Sequence, residues 1–183
     1  MSNTENTTSE QLMQTVAWGD LDAFNAIVLR HQKMVWGIAY RFLGDGHAAE
    51  DIAQEAFLRI LDAAPRYKPS AEFRTYLSRV VTRLCLDYSE KRRPVYAEHL
   101  PEAADATPSS AEQVAAWDEE RAIREALDSL PPNQRMAVVL RYWEGLNCRD
   151  VAAALETSVK AVERLLARAR EALQPKLARL IEE

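Results

Sequence analysis

Between Asn147 and Arg170 the residue types and their spacing suit the reading of double-stranded DNA. Asn147 can cap a short helix, with Asp150 three residues on, and Val151, Ala152 and Leu155 supply that helix's inner face. A turn follows at Glu156, Thr157 and Ser158. In the next helix the 3.6-residue period places Val162, Leu166, Ala169 and Leu173 on one side, with Lys160, Arg164, Ala167 and Glu171 opposite and Arg168 beside them. Guanidinium and ammonium groups on an outer face can donate to base edges and phosphates when the start of such a helix enters a major groove. The same pattern fits a helical bundle whose arginines meet only water, so this stretch alone leaves both readings open.

A second constellation suits unpaired DNA. On a helix with an apolar stripe at Phe73, Leu77, Val80, Val81, Leu84 and Tyr88, the residues Tyr76, Arg79 and Arg83 share another side. A tyrosine ring offers a base something to stack on, and arginine can stack or hold phosphate. Arg66, Tyr67, Lys68 and Arg74 extend this patch, and Lys91, Arg92 and Arg93 end the helix, where basic residues also favour the helix dipole. A third face lies on the helix before it. There Leu58 projects opposite a core side of Ala49, Ile52, Ala53, Ala56 and Ile60, flanked by Asp51, Gln54 and Leu61. Such an apolar patch among acids fits a protein docking surface, or else the preceding helix wraps round and buries it.

Enzymatic chemistry finds no footing. No metal-ligand cluster, nucleophile with partner base or glycine-rich phosphate loop occurs, so neither metal nor cofactor is expected. Cys85 and Cys148 lie in helical patterns without a CxxC spacing and read as buried or half-buried reduced thiols, and His31, His47 and His99 form no motif.

The elements that must position these faces are all helical. Of 183 residues 48% are hydrophobic and only five are glycine, which allows real cores and an all-α fold of two small helical domains. A short helix over 9–18 precedes a long one that starts at the Asp20 cap and runs to Gly44, with Phe24, Ile27, Val28, Val35, Ile38 and Phe42 inward. A helix over 48–64 is stopped by Pro65, and the next runs from about 70 to before Pro94. Residues 95–110 turn to Pro, Ala, Glu, Asp and Ser and read as a flexible acidic linker between domains at 1–94 and 111–183. Further helices are expected at 111–130, 132–144, 151–155 and 159–174, with Met136, Val139, Leu140 and Trp143 in the core and Pro175 ending or kinking the last. No segment approaches a membrane span and the polar start is no secretory signal, so no membrane insertion and a cytoplasmic location are expected.

The net charge of −5 conceals blocks of alternating sign. Residues 1–65 hold 4 basic and 9 acidic side chains, 66–94 hold 8 and 3, 95–130 hold 2 and 9, and 131–183 hold 9 and 7. Two basic surfaces can therefore meet phosphate while acidic ones stay clear of it or meet a protein.

The run Ala49-Glu50-Asp51-Ile52-Ala53-Gln54-Glu55-Ala56-Phe57-Leu58-Arg59 resembles the AEDxxQExFLR signature of extracytoplasmic-function (ECF) bacterial sigma factors. Phe73–Arg79 looks like that family's FxxWLxRI segment, Leu130–Arg135 like its LPxxxR motif, and Ala161–Arg170 like its recognition helix. Together these cover about residues 10–175 in the expected order. The resemblance implies an alternative sigma factor, without a catalytic centre, that binds core RNA polymerase and directs it to promoters. It implies that Asp51, Gln54, Glu55 and Leu58 dock on the β′ clamp helices, which favours exposure of Leu58. Arg66, Tyr67, Lys68, Arg74, Tyr76, Arg79 and Arg83 would hold the melted non-template strand of the −10 element. Lys160, Glu163, Arg164 and Arg168 would read the duplex −35 element, with Ser158 and Arg170 on phosphate. Tyr76 stands where the family usually has Trp, and Arg83 where Asn is common. Minimal members often have an anti-sigma factor, so such a partner is expected too. The rival readings are a free-standing helix-turn-helix regulator, which leaves the first domain unused, and a helical protein-binding adaptor.

Overall fold

A computed structural model describes residues 7–92 and 111–178; the expected linker lies outside the described residues. The first domain comprises α1 (Ser9–Val16), α2 (Leu21–Leu43), α3 (Gly46–Ala63), a 3-10 turn at Ala64–Arg66, and α4 (Phe73–Arg92). The second comprises α5 (Ala111–Asp128), α6 (Pro132–Val138) continuing into a π turn at Val139–Trp143, α7 (Cys148–Ala154) and α8 (Val159–Leu177).

Side-chain caps set most of these boundaries. Thr8 and Gln11 form a reciprocal capping box at α1, and Asp20 and Asp45 accept the N–H groups of Ala23 and Ala48 to start α2 and α3. Gly44 closes α2 at φ +73°, a left-handed conformation in which a Cβ would be strained. The start of α4 is capped from a distance: the Glu10 carboxylate on α1 accepts the Phe73 N–H at 2.7 Å. Asn147 starts α7 by accepting from Arg149 and Asp150, and Ser158 starts α8 by accepting from Ala161.

The core of the first domain is built by Ile27, Val35, Ile38 and Phe42 of α2, Ile52, Ala56 and Ile60 of α3, and Phe73, Leu77 and Val81 of α4. Met136, Val139, Leu140, Val151, Val162, Leu166 and Ala169 fill the second. Full burial of one such aliphatic side chain is worth about 1.5–3 kcal/mol. Phe24, Val28, Val80, Tyr88, Ala53, Leu155 and Leu173 are only partly buried against these cores. Cys85 is buried and Cys148 half-buried, both free thiols.

Two positions differ from expectation for identifiable reasons. Of the two outcomes expected at Pro175, an end or a kink, the end does not occur, since α8 continues to Leu177. The missing N–H would have bonded the carbonyl of Glu171, an exposed residue in the last turns of the helix, where solvent can reach the freed acceptor. Trp143 is not core but 41% exposed. The π turn, in which Glu144 N–H reaches back five residues to the Val139 carbonyl, spends extra residues on one turn and carries Trp143 off the inner face. Glu144 comes inward instead, to 9% exposure.

The two domains touch through polar groups. Arg124 of α5 donates to the Gly44 carbonyl at 2.7 Å and to the Tyr40 hydroxyl, with its guanidinium 4.5 Å from the Tyr40 ring centre. Arg135 of α6 donates to the Phe42 carbonyl at 2.9 Å and to the Asp128 carboxylate at 2.8 Å. The last carbonyls of α2 have no partner within their helix, so two arginines of the other domain satisfy them at the negative end of its dipole.

Candidate nucleic-acid interface and docking face

On α3, the helical period that buries Ile52, Ala56 and Ile60 sends Asp51, Gln54 and Leu58 into solvent. Leu58 is 57% exposed, so α2 does not wrap round to cover it. Glu55, half-exposed, accepts from Arg59 Nε at 2.8 Å one turn on. The result is an apolar side chain flanked by acceptors on a rigid helix.

The residues expected to hold unpaired DNA are not all brought together. Tyr67, Lys68, Tyr76 and Arg79 line one cleft of about 190 Å³ with Ser70, Ala71, Thr75 and Ala153. Within it the Tyr67 and Tyr76 rings lie 5.3 Å apart, and the Tyr67 hydroxyl is buried without a hydrogen-bond partner. Burial raises the ionisation range of both phenols, so they stay neutral donors at physiological pH. Arg66 and Arg83 are exposed at the edges of this region. Arg74 points elsewhere: it donates to the Glu144 carbonyl at 2.5 Å and pairs with the Glu144 carboxylate at 3.3 Å. Arg79 is engaged too, since its Nε donates to the Glu156 carboxylate at 2.8 Å.

On α8, Lys160, Glu163, Arg164 and Arg168 are all exposed while Val162, Leu166 and Ala169 hold the helix to its domain. Ser158 spends its acceptor on the Ala161 N–H at 3.2 Å, which leaves its hydroxyl proton for a phosphate. Arg170 lies within 3.4 Å of the Tyr142 hydroxyl, at the surface. The turn before α8 holds Glu156 at φ +53°, the sole non-glycine positive φ among the described residues.

Sequence reasoning missed Glu10, Arg124 and Glu144 and met Arg135 only as the arginine of the LPxxxR motif; their pairings span 63 to 93 residues of chain and leave no local signal.

Two helical domains, one with a basic helix-turn-helix and the other with aromatic and arginine groups beside an exposed docking face, define a DNA-binding transcription protein. The model for sigma-70 region 2 matches residues 27–95, and that for sigma-70 region 4 matches residues 120–173. The chain is 31% identical to the RNA polymerase sigma-H factor of Pseudomonas aeruginosa, over 95% of its own length and 96% of that protein's. It is 34% identical to the ECF RNA polymerase sigma factor SigE of Mycolicibacterium smegmatis over 87% of its own length, but spans only 63% of that protein. Among solved structures it is similar to CnrH in complex with the cytosolic domain of CnrY, at TM-score 0.72 and 26% identity, covering 93% of this chain and 97% of that one. The chain belongs to the ECF family of bacterial RNA polymerase sigma factors, and its function is that of an alternative sigma factor. Its relatives are sigma factors, which are not themselves enzymes.

Proposed function

We propose that each face does one job in promoter-specific initiation. Asp51, Gln54, Glu55 and Leu58 dock on the β′ clamp helices of core RNA polymerase. Tyr67, Lys68, Tyr76 and Arg79, with Arg66 and Arg83 at the rim, hold the melted non-template strand at −10. Arg74 joins them only if it leaves Glu144. Lys160, Glu163, Arg164 and Arg168 read the −35 duplex, and Ser158 and Arg170 hold its phosphates. The domains divide near 94 and 111, with 95–110 as the tether. The observation that carries this reading is the separation of an exposed leucine among acids from two basic surfaces, one aromatic and one on a recognition helix.

The division of labour follows from physical chemistry. Duplex DNA presents its code in the major groove, where α8 can enter. Opened bases must be caught by stacking and phosphate contacts, which a tyrosine and arginine cleft supplies. The protein itself carries no catalytic centre, needs no metal or cofactor and works in the cytoplasm, where the polymerase is. An anti-sigma factor regulates it; the seating of CnrY on the related CnrH supports a protein partner for this chain as well.

The test is co-elution of the purified protein with bacterial core RNA polymerase, followed by transcription from a pool of promoters with and without it. Co-elution with new, protein-dependent start sites is the expected result. Binding to duplex DNA with no polymerase association would favour the free-standing regulator instead.

A further inference from the structure

The outward face of α8 is not uniformly basic. Lys160, Glu163, Arg164 and Ala167 follow one another at helical spacings and are all exposed, with Arg168 beside them. Among the described residues, no ion pair or hydrogen bond engages the side chains of Lys160, Glu163, Arg164 or Arg168. The Glu163 carboxylate therefore neutralises no neighbour. It does not start the helix either, since Ser158 caps α8 and Glu163 is the fifth residue from its beginning.

An anion at this position works against the approach to phosphate. On entering a groove the carboxylate loses its water, and it stays destabilising there unless another donor replaces that water. An ionised carboxylate only accepts hydrogen bonds, and the major groove offers few donors. Guanine shows two acceptors, N7 and O6, while thymine shows the O4 acceptor and a methyl group. Adenine sets its N6 amino donor beside the N7 acceptor, so a carboxylate is attracted by one and repelled by the other. Cytosine alone presents an amino donor, N4, with no acceptor on its own major-groove edge.

We infer that Glu163 is a specificity-determining residue that demands cytosine at one position of the −35 element, its carboxylate accepting from the cytosine N4 amino group. The inference rests on the proposed −35 role of α8. Selection works by exclusion as well as by attraction, because against guanine or thymine the desolvated carboxylate meets lone pairs instead of a donor. The cations around it attract any duplex, and the forked guanidinium of Arg164 suits guanine at a neighbouring position. Glu171 is exposed on the same side, but it is the thirteenth residue of the helix, beyond the N-terminal part that enters the groove.

The test uses holoenzyme assembled from the full chain and core RNA polymerase. It transcribes a pool of duplex promoters randomised across the −35 and −10 segments, and the active templates are sequenced. The wild type should hold one −35 position to cytosine by about tenfold over other bases. Glu163→Ala should flatten that position and leave the rest of the profile intact, while affinity for an unrelated duplex holds or rises, because a repelled anion is gone. Glu163→Gln should admit adenine there, since an amide matches the N6 donor and the N7 acceptor together. Arg164→Ala and Arg168→Ala separate the inference from the reading beneath it. If either alters a −35 position while both Glu163 variants keep the wild-type profile, α8 reads the duplex and the cytosine inference falls. If none of the four variants alters a −35 position, the −35 role of α8 itself falls. Flattening by Glu163→Ala at a position that the wild type holds to adenine or thymine overturns the cytosine assignment. A uniform loss of transcription from every template in Glu163→Ala also overturns it, because that marks a residue the fold needs.

Discussion

A leucine left 57% exposed between Asp51 and Gln54 on one side and Arg59 on the other gains nothing from its own fold. Leu58→Glu should therefore abolish co-elution with core polymerase while the melting temperature moves little, because surface substitutions away from packing typically change stability by within about 0.5 kcal/mol. A large fall in melting temperature would mean that the side chain is needed for folding. Arg164 and Arg168 face solvent on α8 without a packing role. Their replacement by alanine should each cost about 1–3 kcal/mol of −35 discrimination. Transcription from the cognate promoter should fall accordingly, with polymerase binding intact. Loss of co-elution instead would show that the docking and DNA faces have been exchanged.

Between elements, one local contact ties α1, α2 and α4 together. The hydrogen bond from Phe73 N–H holds the Glu10 carboxyl below the usual carboxylate range. Ser9 Oγ lies 2.8 Å from His31 Nε2, and burial, with Arg30 and Arg74 nearby, pulls the His31 imidazole down to about 4 from 6.5. Both shifts act in the same direction. Above the unfolded carboxylate range the ionised Glu10 adds stability, which is lost as pH falls through its lowered native value. Neutral His31 costs nothing above 6.5, but between 6.5 and about 4 the unfolded chain takes a proton that the native one refuses, so stability falls there. Urea titrations should show a loss of the order of 2 kcal/mol from pH 7 to pH 4 through His31, discounted for its partial exposure. His31→Gln should flatten that slope. An unchanged slope would place the acid sensitivity elsewhere. Glu10→Gln should cost about 1 kcal/mol at pH 7, as loss of a helix cap does, and the deficit should shrink below pH 4.

At the scale of the whole molecule, arginines join the domains at the end of α2, beside the packing of α7 and α6 on α4. Arg135 illustrates the coupling, since one guanidinium holds Asp128 within its own domain and the Phe42 carbonyl across the contact, with its Nε unpartnered. Burial lowers its pKa while Asp128 opposes this. Arg135→Ala should cost about 1–3 kcal/mol in denaturant titration, the penalty of leaving buried acceptors unmet. It should also uncouple the two domains into separate transitions. A single transition at the wild-type midpoint would show that the contact contributes nothing to stability. Raising salt towards 1 M, where screening reaches about 3 Å, should loosen the exposed Arg79 and Glu156 pair before it affects either core.

The order of helices, the two cores and the outward faces of α3 and α8 were legible in the amino-acid sequence, because a 3.6-residue period and a capping Asp or Asn are local properties. Asn147 with Val151 and Ala152, or Asp20 with Ile27, needs only neighbours within two turns. The family motifs added the jobs that such faces perform. Trp143 and Glu144 were not legible, since a π turn shifts which of them points inward and no residue type marks it. Nor was the exposure of Leu58 settled by periodicity alone, which left burial by α2 open. Arg74 was assigned by proximity in sequence to the tyrosine cleft, but Glu144, 70 residues away, holds it elsewhere. Tertiary structure alone decided that Arg79 meets Glu156 and that Thr75, Ser78 and Thr82 lie buried, because those contacts join surfaces whose separation along the chain leaves no periodic trace.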